Sequence, residues 1–137
     1  MKRDLDEIRR LLLVVEACDD PRGKAFFWKD EKKLGNWGFK ADPFPQADEL
    51  NAHLDYQIGL LEQAGFVTRR AVGANAPNFV EITYKGHDYL DAIRSDTVWD
   101  KTTAGVAKVG GMSLDMIKEL AIAYMKQEAA EKLGIKL

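Results

Sequence analysis

Residues 50–84 read LNAHLDYQIGLLEQAGFVTRRAVGANAPNFVEITY, and the fold turns on how this stretch is read. Leu50, Leu54, Ile58 and Leu61 recur at helical spacing, an apolar stripe that predicts helix from about Ala47 to Ala64. The pattern has room for a short helix and a longer one, with a turn between them near Asn51-Ala52. Gly65 stands where such a helix is capped, because glycine enters the left-handed conformation without a Cβ clash. Phe66 to Val72 then reads as a strand, Gly73 to Pro77 as a turn, and Asn78 to Tyr84 as a second strand. Both strands alternate imperfectly, as one-sided antiparallel strands do. Helix, helix and two-stranded hairpin, in that order, is the pattern of a winged helix-turn-helix.

On the N-terminal side a further helix is well signalled. Asp4 with Glu7 three residues on makes a capping-box-like start, and Leu5, Ile8, Leu12 and Val15 recur at helical spacing, widened by Leu11. Asp19-Asp20-Pro21-Arg22-Gly23 ends it, since proline cannot continue a helix. Residues 24–40, KAFFWKDEKKLGNWGFK, carry strand-prone aromatics around a charged middle and are expected to form a loose hairpin or two short strands. On the C-terminal side one helix is expected over Lys85 to Lys101, with Tyr89, Leu90, Ile93 and Val98 or Trp99 inward. Gly105, Gly110 and Gly111 mark residues 102–112 as a linker. Ser113 then caps a last helix whose stripe is Leu114, Ile117, Leu120 or Ala121, and Tyr124. The expected organisation is therefore a mostly helical α+β protein: a winged-helix-like domain over residues 1–101 with the aromatic segment inserted after its first helix, the linker, and an amphipathic helix over 113–137.

The composition narrows the function classes. With 137 residues, 46% of them apolar, the chain fits one domain and a short appendage. Its apolar runs, such as the five residues from Leu11 to Val15, fall far short of the roughly 20 that span a bilayer, so no membrane partner is expected. The charged start Met1-Lys2-Arg3-Asp4 lacks an apolar signal region, and a single cysteine, Cys18, allows no internal disulfide, so a reducing cytoplasm is expected.

The charge distribution says more than the total of −2. Residues 1–40 hold 10 Lys or Arg against 8 Asp or Glu, whereas residues 41–68 hold none against 5. The acidic block coincides with the helix that in a winged helix reads DNA.

Four stretches carry a resemblance: RDLDEIRRLLLVVE at 3–16, HLDYQIGLLEQAGFV at 53–67, ITYKGHDYLDAIRSDTVWDK at 82–101 and SLDMIKELAIAYMKQ at 113–127. Together they resemble a family of small bacterial and phage proteins grouped as a domain of unknown function, with a winged-helix-like pattern. The resemblance implies that fold, a cytoplasmic setting and a phage or prophage origin. It brings no catalytic residues with it, and the aromatic segment at 24–40 departs from the family pattern.

Catalytic chemistry finds no foothold in the sequence. His53 and His87 are 34 residues apart without metal-ligand spacing, and each is read as a structural histidine. Asp88, Asp91, Asp96 and Asp100 recur at three, five and four residues, which does not stack them on one helical face. No enzyme, cofactor or metal site is expected; a closed pocket joining His87 to two carboxylates would change that.

Two binding readings remain. In the first, a winged-helix scaffold presents an acidic face to a protein partner through Asp48, Glu49, Asp55 and Glu62, expected to line one exposed face and not to be salt-bridged within the fold. In a phage setting that partner would be a host or defence protein with a basic groove. In the second, the chain is a DNA-binding regulator using Lys29, Lys32, Lys33, Trp37, Arg69 and Arg70, converging on one surface. Asn51 and Gln57 are placed to read adenine edges but have no flanking cations. Self-association is a further expectation, a homodimer through the last helix using Leu114, Ile117, Ala121 and Tyr124.

Overall fold

A computed structural model describes residues 1–29, 44, 46–71 and 76–134. Helix α1 spans Leu5–Ala17 and starts as its cap predicts, with the Asp4 carboxylate accepting the Glu7 N–H at 3.1 Å. The reciprocal arm of the capping box is absent. Glu7 turns to Arg10 at 2.6 Å, and the Asp4 N–H donates instead to the side chain of Gln57 at 2.8 Å. Ile8, Leu11, Leu12 and Val15 form the buried stripe.

Strand β1, Lys24–Trp28, follows the predicted turn, and its first four residues are buried. The remainder of the aromatic segment lies outside the described residues. Strand β2, Asp48–Leu50, runs parallel to β1 and precedes helix α2, Ala52–Gln63. This corrects the expected short helix around 47–50. Three residues are too few to sustain a helical stripe, and here their backbone is claimed by the edge of β1, with Leu50 opposite Trp28 and only 2% exposed. The turn expected near Asn51 is the α2 cap: Asn51 is extended and its side chain accepts the Leu54 N–H at 2.8 Å.

Strands β3, Val67–Ala71, and β4, Asn78–Ile82, form the antiparallel hairpin, and the sheet order is β2-β1-β4-β3. Helix α1 packs on α2 and β4, and α2 packs on β3. Ile8, Leu12, Leu54, Ile58, Leu61, Phe66 and Val80 are each at most 4% exposed. Side chains of this size contribute about 1.5–3 kcal/mol each when fully buried. Past β4, Thr83 ties helix α3, Tyr84–Ile93, to the end of α2: its hydroxyl donates to the Gly65 carbonyl at 2.6 Å and accepts the Gly86 N–H at 3.1 Å. Gly86 sits so close to the Phe66 carbonyl that a Cβ there would stand 2.0 Å from the oxygen.

The expected helix over 85–101 is in fact two. Helix α3 ends at Ile93, and Ser95 caps helix α4, Asp96–Val109, by accepting the Val98 N–H at 3.3 Å. The expected linker is likewise corrected, because residues 102–109 complete α4 and Gly110, at φ 87°, closes it. Thr102 and Thr103 are held in α4 by hydroxyl bonds to the carbonyls of Val98 and Trp99, at 2.7 and 3.0 Å. Gly105 serves packing here, not flexibility: a Cβ would lie 3.0 Å from Leu120 and 3.4 Å from the Tyr124 hydroxyl on helix α5, Leu114–Leu133. The chain divides into two compact units, Met1–Gly86 and His87–Leu137, the division falling within α3, while residue 101, where a boundary was expected, lies inside α4. The described residues form an α+β protein, mostly helical, with one small sheet. No described helix is long and apolar enough to cross a membrane.

Candidate interaction face

Helix α2 has three stripes. Leu54, Gln57, Ile58 and Leu61 are buried. Opposite them Ala52, Tyr56 and Gln63 are exposed, with Gly59 between, and none carries a charge. Asp55 and Glu62 run two turns apart along the flank facing β3. Arg69 of β3 reaches that flank, pairs with Asp55 and lies 3.7 Å from Glu62. Its guanidinium passes beside Gly59, where a Cβ would lie 3.7 Å away, an ordinary contact.

The four acidic candidates do not share one helix. Asp48 and Glu49 are adjacent on β2 and so project from opposite sides of the sheet. Asp48 pairs at 3.2 Å with Lys24, whose ammonium also donates to the Gln46 carbonyl. The expectation of unpaired carboxylates fails at three positions, Asp48, Asp55 and Glu62; Glu49 is exposed. In both clusters, however, the cation lies beneath and the carboxylate above. The Lys24 and Arg69 side chains are 8% and 19% exposed, against 54%, 40% and 44% for Asp48, Asp55 and Glu62.

Of the nucleic-acid candidates, the two on β3 diverge. Arg69 and Arg70 are neighbours on a strand and point to opposite faces. Arg70 lies 5.9 Å from the ring of Phe79, over which Arg22 also sits at 5.3 Å. Lys29 is exposed just past β1, while Lys32, Lys33 and Trp37 lie outside the described residues. Neither candidate base-reader is available. Asn51 is consumed as the α2 cap, and Gln57 is 0% exposed, its amide accepting from Asp4 and donating to the Lys2 carbonyl at 2.9 Å. The signal for Gln57 was present in the sequence: it falls three residues after Leu54, inside the apolar stripe.

Near the same edge His53 meets Asp4 at 3.1 Å. The Asp4 carboxyl is held below its ordinary value first by the Glu7 N–H bond, against the opposing effect of burial, and then by His53. A cleft of about 390 Å³ lies among Val14, Ala17, Lys24 and Gln46, with Cys18 at its wall bonded to the Gln46 amide at 3.1 Å. Among the described residues no group of three or more His, Cys, Asp or Glu side chains could hold a metal ion. His87 is exposed in the first turn of α3.

The proposed dimer stripe is also corrected. Leu114, Ile117 and Ala121 are 5%, 1% and 0% exposed within the chain itself, and Tyr124 is half-buried near Gly105. A stripe already covered by its own chain offers nothing to a second copy.

Small sheet, flanking helices and a charge-layered helix face define a mostly helical α+β protein with no metal cluster among its described residues. The chain belongs to the DUF2513 family, described as a hypothetical protein, whose profile matches residues 2–113. It is 32% identical over 137 residues to a Haemophilus influenzae protein named "Uncharacterized protein", a match covering 95% of this chain and 100% of that one. No solved structure matches the chain.

Proposed function

We propose that the chain is a non-enzymatic, winged-helix-like interaction module that contacts a protein partner through the acidic flank of α2. The prophage origin implied by the sequence resemblance is part of this reading. Support for the scaffold is the order α1, β1, β2, α2, β3, β4, α3, with β1, β4 and β3 antiparallel and β2 added as a parallel edge strand. The observation that carries the reading is the layering of charge, with Arg69 beneath and Asp55 and Glu62 above. A helix that turns carboxylates outward repels phosphate, and phosphate neutralisation dominates DNA affinity.

The alternative, a DNA-binding regulator, needs Lys29, Lys32, Lys33, Arg69 and Arg70 on one surface. Arg69 and Arg70 diverge across β3, which weighs against it. A fluorescence-anisotropy titration against random duplex and single-stranded DNA at low salt separates the two. The protein-binding reading expects no saturation at tens of micromolar, where even non-specific DNA binders usually respond. Saturable binding that collapses as salt rises would replace it with the regulator.

A further inference from the structure

Resting on the protein-binding reading, we infer that α2 recognises a basic protein surface, with Tyr56 as the anchor and Asp55 and Glu62 as the charge contacts. Tyr56 is 37% exposed and central to the outward stripe. One turn before it stands Ala52, and three residues after it Gly59, so its neighbours on this stripe are small. Tyrosine is enriched among residues that dominate binding energy, and a part-exposed one beside a charged flank offers both an apolar and a polar contact.

The charge of the partner surface follows from desolvation. Any protein covering this flank strips water from two carboxylates that share the single guanidinium of Arg69. Arg69 approaches from β3, and the Asp55 and Glu62 side chains remain 40% and 44% exposed. Burying them without new donors is strongly unfavourable, so an apolar or acidic cover is disfavoured. Lysine or arginine side chains on the partner supply the missing donors and charge, and such complementarity also speeds encounter. No lysine or arginine lies between Ala52 and Gln63, and the one histidine there, His53, faces Asp4.

Site-specific photo-crosslinking tests this in the bacterium that carries the gene. The full chain carries Tyr56→p-benzoylphenylalanine, and a second version carries the same residue at exposed Glu131 on α5. The expected result is an adduct from position 56 with a protein of net positive charge. Its yield falls at least about tenfold when Asp55→Asn and Glu62→Gln are added. Circular dichroism of each purified variant confirms that the fold is kept.

Three results overturn the inference while leaving the protein-binding reading in place: an adduct with a neutral or acidic protein, an adduct at twice the mass of the chain, or a yield indifferent to both neutralising substitutions. An adduct from position 131 alone also overturns it, moving the partner off α2. No adduct at either position overturns the inference, and with saturable DNA binding the reading beneath it falls as well.

Discussion

Gln57, in the middle of α2, accepts the backbone N–H of Asp4, the residue that caps α1, across 53 positions of sequence. The same amide donates to the Lys2 carbonyl, so one fully buried side chain fastens the N-terminal arm to the second helix. Each of its polar atoms has a partner, which is the condition for burying an amide without penalty.

Gln57→Leu keeps the shape of that side chain but leaves the Asp4 N–H and the Lys2 carbonyl without it. A loss of about 1–3 kcal/mol in unfolding free energy is expected, read as a lower urea midpoint at unchanged slope. A midpoint equal to that of the parent protein would mean water replaces the amide at no cost.

Two glycines on neighbouring elements should respond in opposite directions. Gly86→Ala drives a Cβ to within 2.0 Å of the Phe66 carbonyl oxygen, and a loss of about 3 kcal/mol or more is expected. Gly59→Ala meets only the Arg69 guanidinium at 3.7 Å, an ordinary contact, and should gain up to about 1 kcal/mol from helix propensity. Thermal unfolding of the pair reads both, and equal shifts of the same sign would contradict the packing.

If the α5 stripe belongs to its own chain, Ile117→Ala should act on folding and not on assembly. A loss of about 2–5 kcal/mol is expected, with a transition that does not depend on protein concentration. A concentration-dependent transition restored by raising the protein concentration would return Ile117 to a subunit interface.

The Arg22 side chain, bonded to Asp20 at 2.6 Å, brings the Asp20 carboxyl down to about 2, from an ordinary 3.8. A depressed carboxyl favours the folded state above its ordinary value and loses that contribution as pH falls through about 2. Carbon-13 NMR of the carboxyl should therefore show a midpoint near 2, moving back toward 3.8 in Arg22→Gln. An unshifted midpoint in the parent protein would show that solvent screens the pair completely.

Helix α1, helix α2 from Ala52 onward, and the β3–β4 hairpin were legible in the amino-acid sequence, because each is announced locally. Asp4 and Gly65 cap, and Ile8, Leu12, Leu54 and Ile58 repeat at the helical period; Gly73 to Pro77 supply turn chemistry between the two strands. The absence of lysine and arginine between Lys40 and Arg69 was equally plain. What the local pattern could not carry is what depends on a neighbour distant in sequence. Asp48 to Leu50 are a strand only because β1 offers them an edge, and Gln57 is a buried clasp only because Lys2 and Asp4 arrive beside it.

Gly105 looked like a loosened linker, since a glycine that makes room for Leu120 and one that frees the chain read alike until the second helix is in place. The same holds for charge. Composition counted Asp55, Glu62 and Arg69 correctly, but tertiary structure set Arg69 beneath the two carboxylates and turned them toward solvent. A sequence orders charges along a line, whereas the sign a partner meets depends on which charges are buried and which are left facing water.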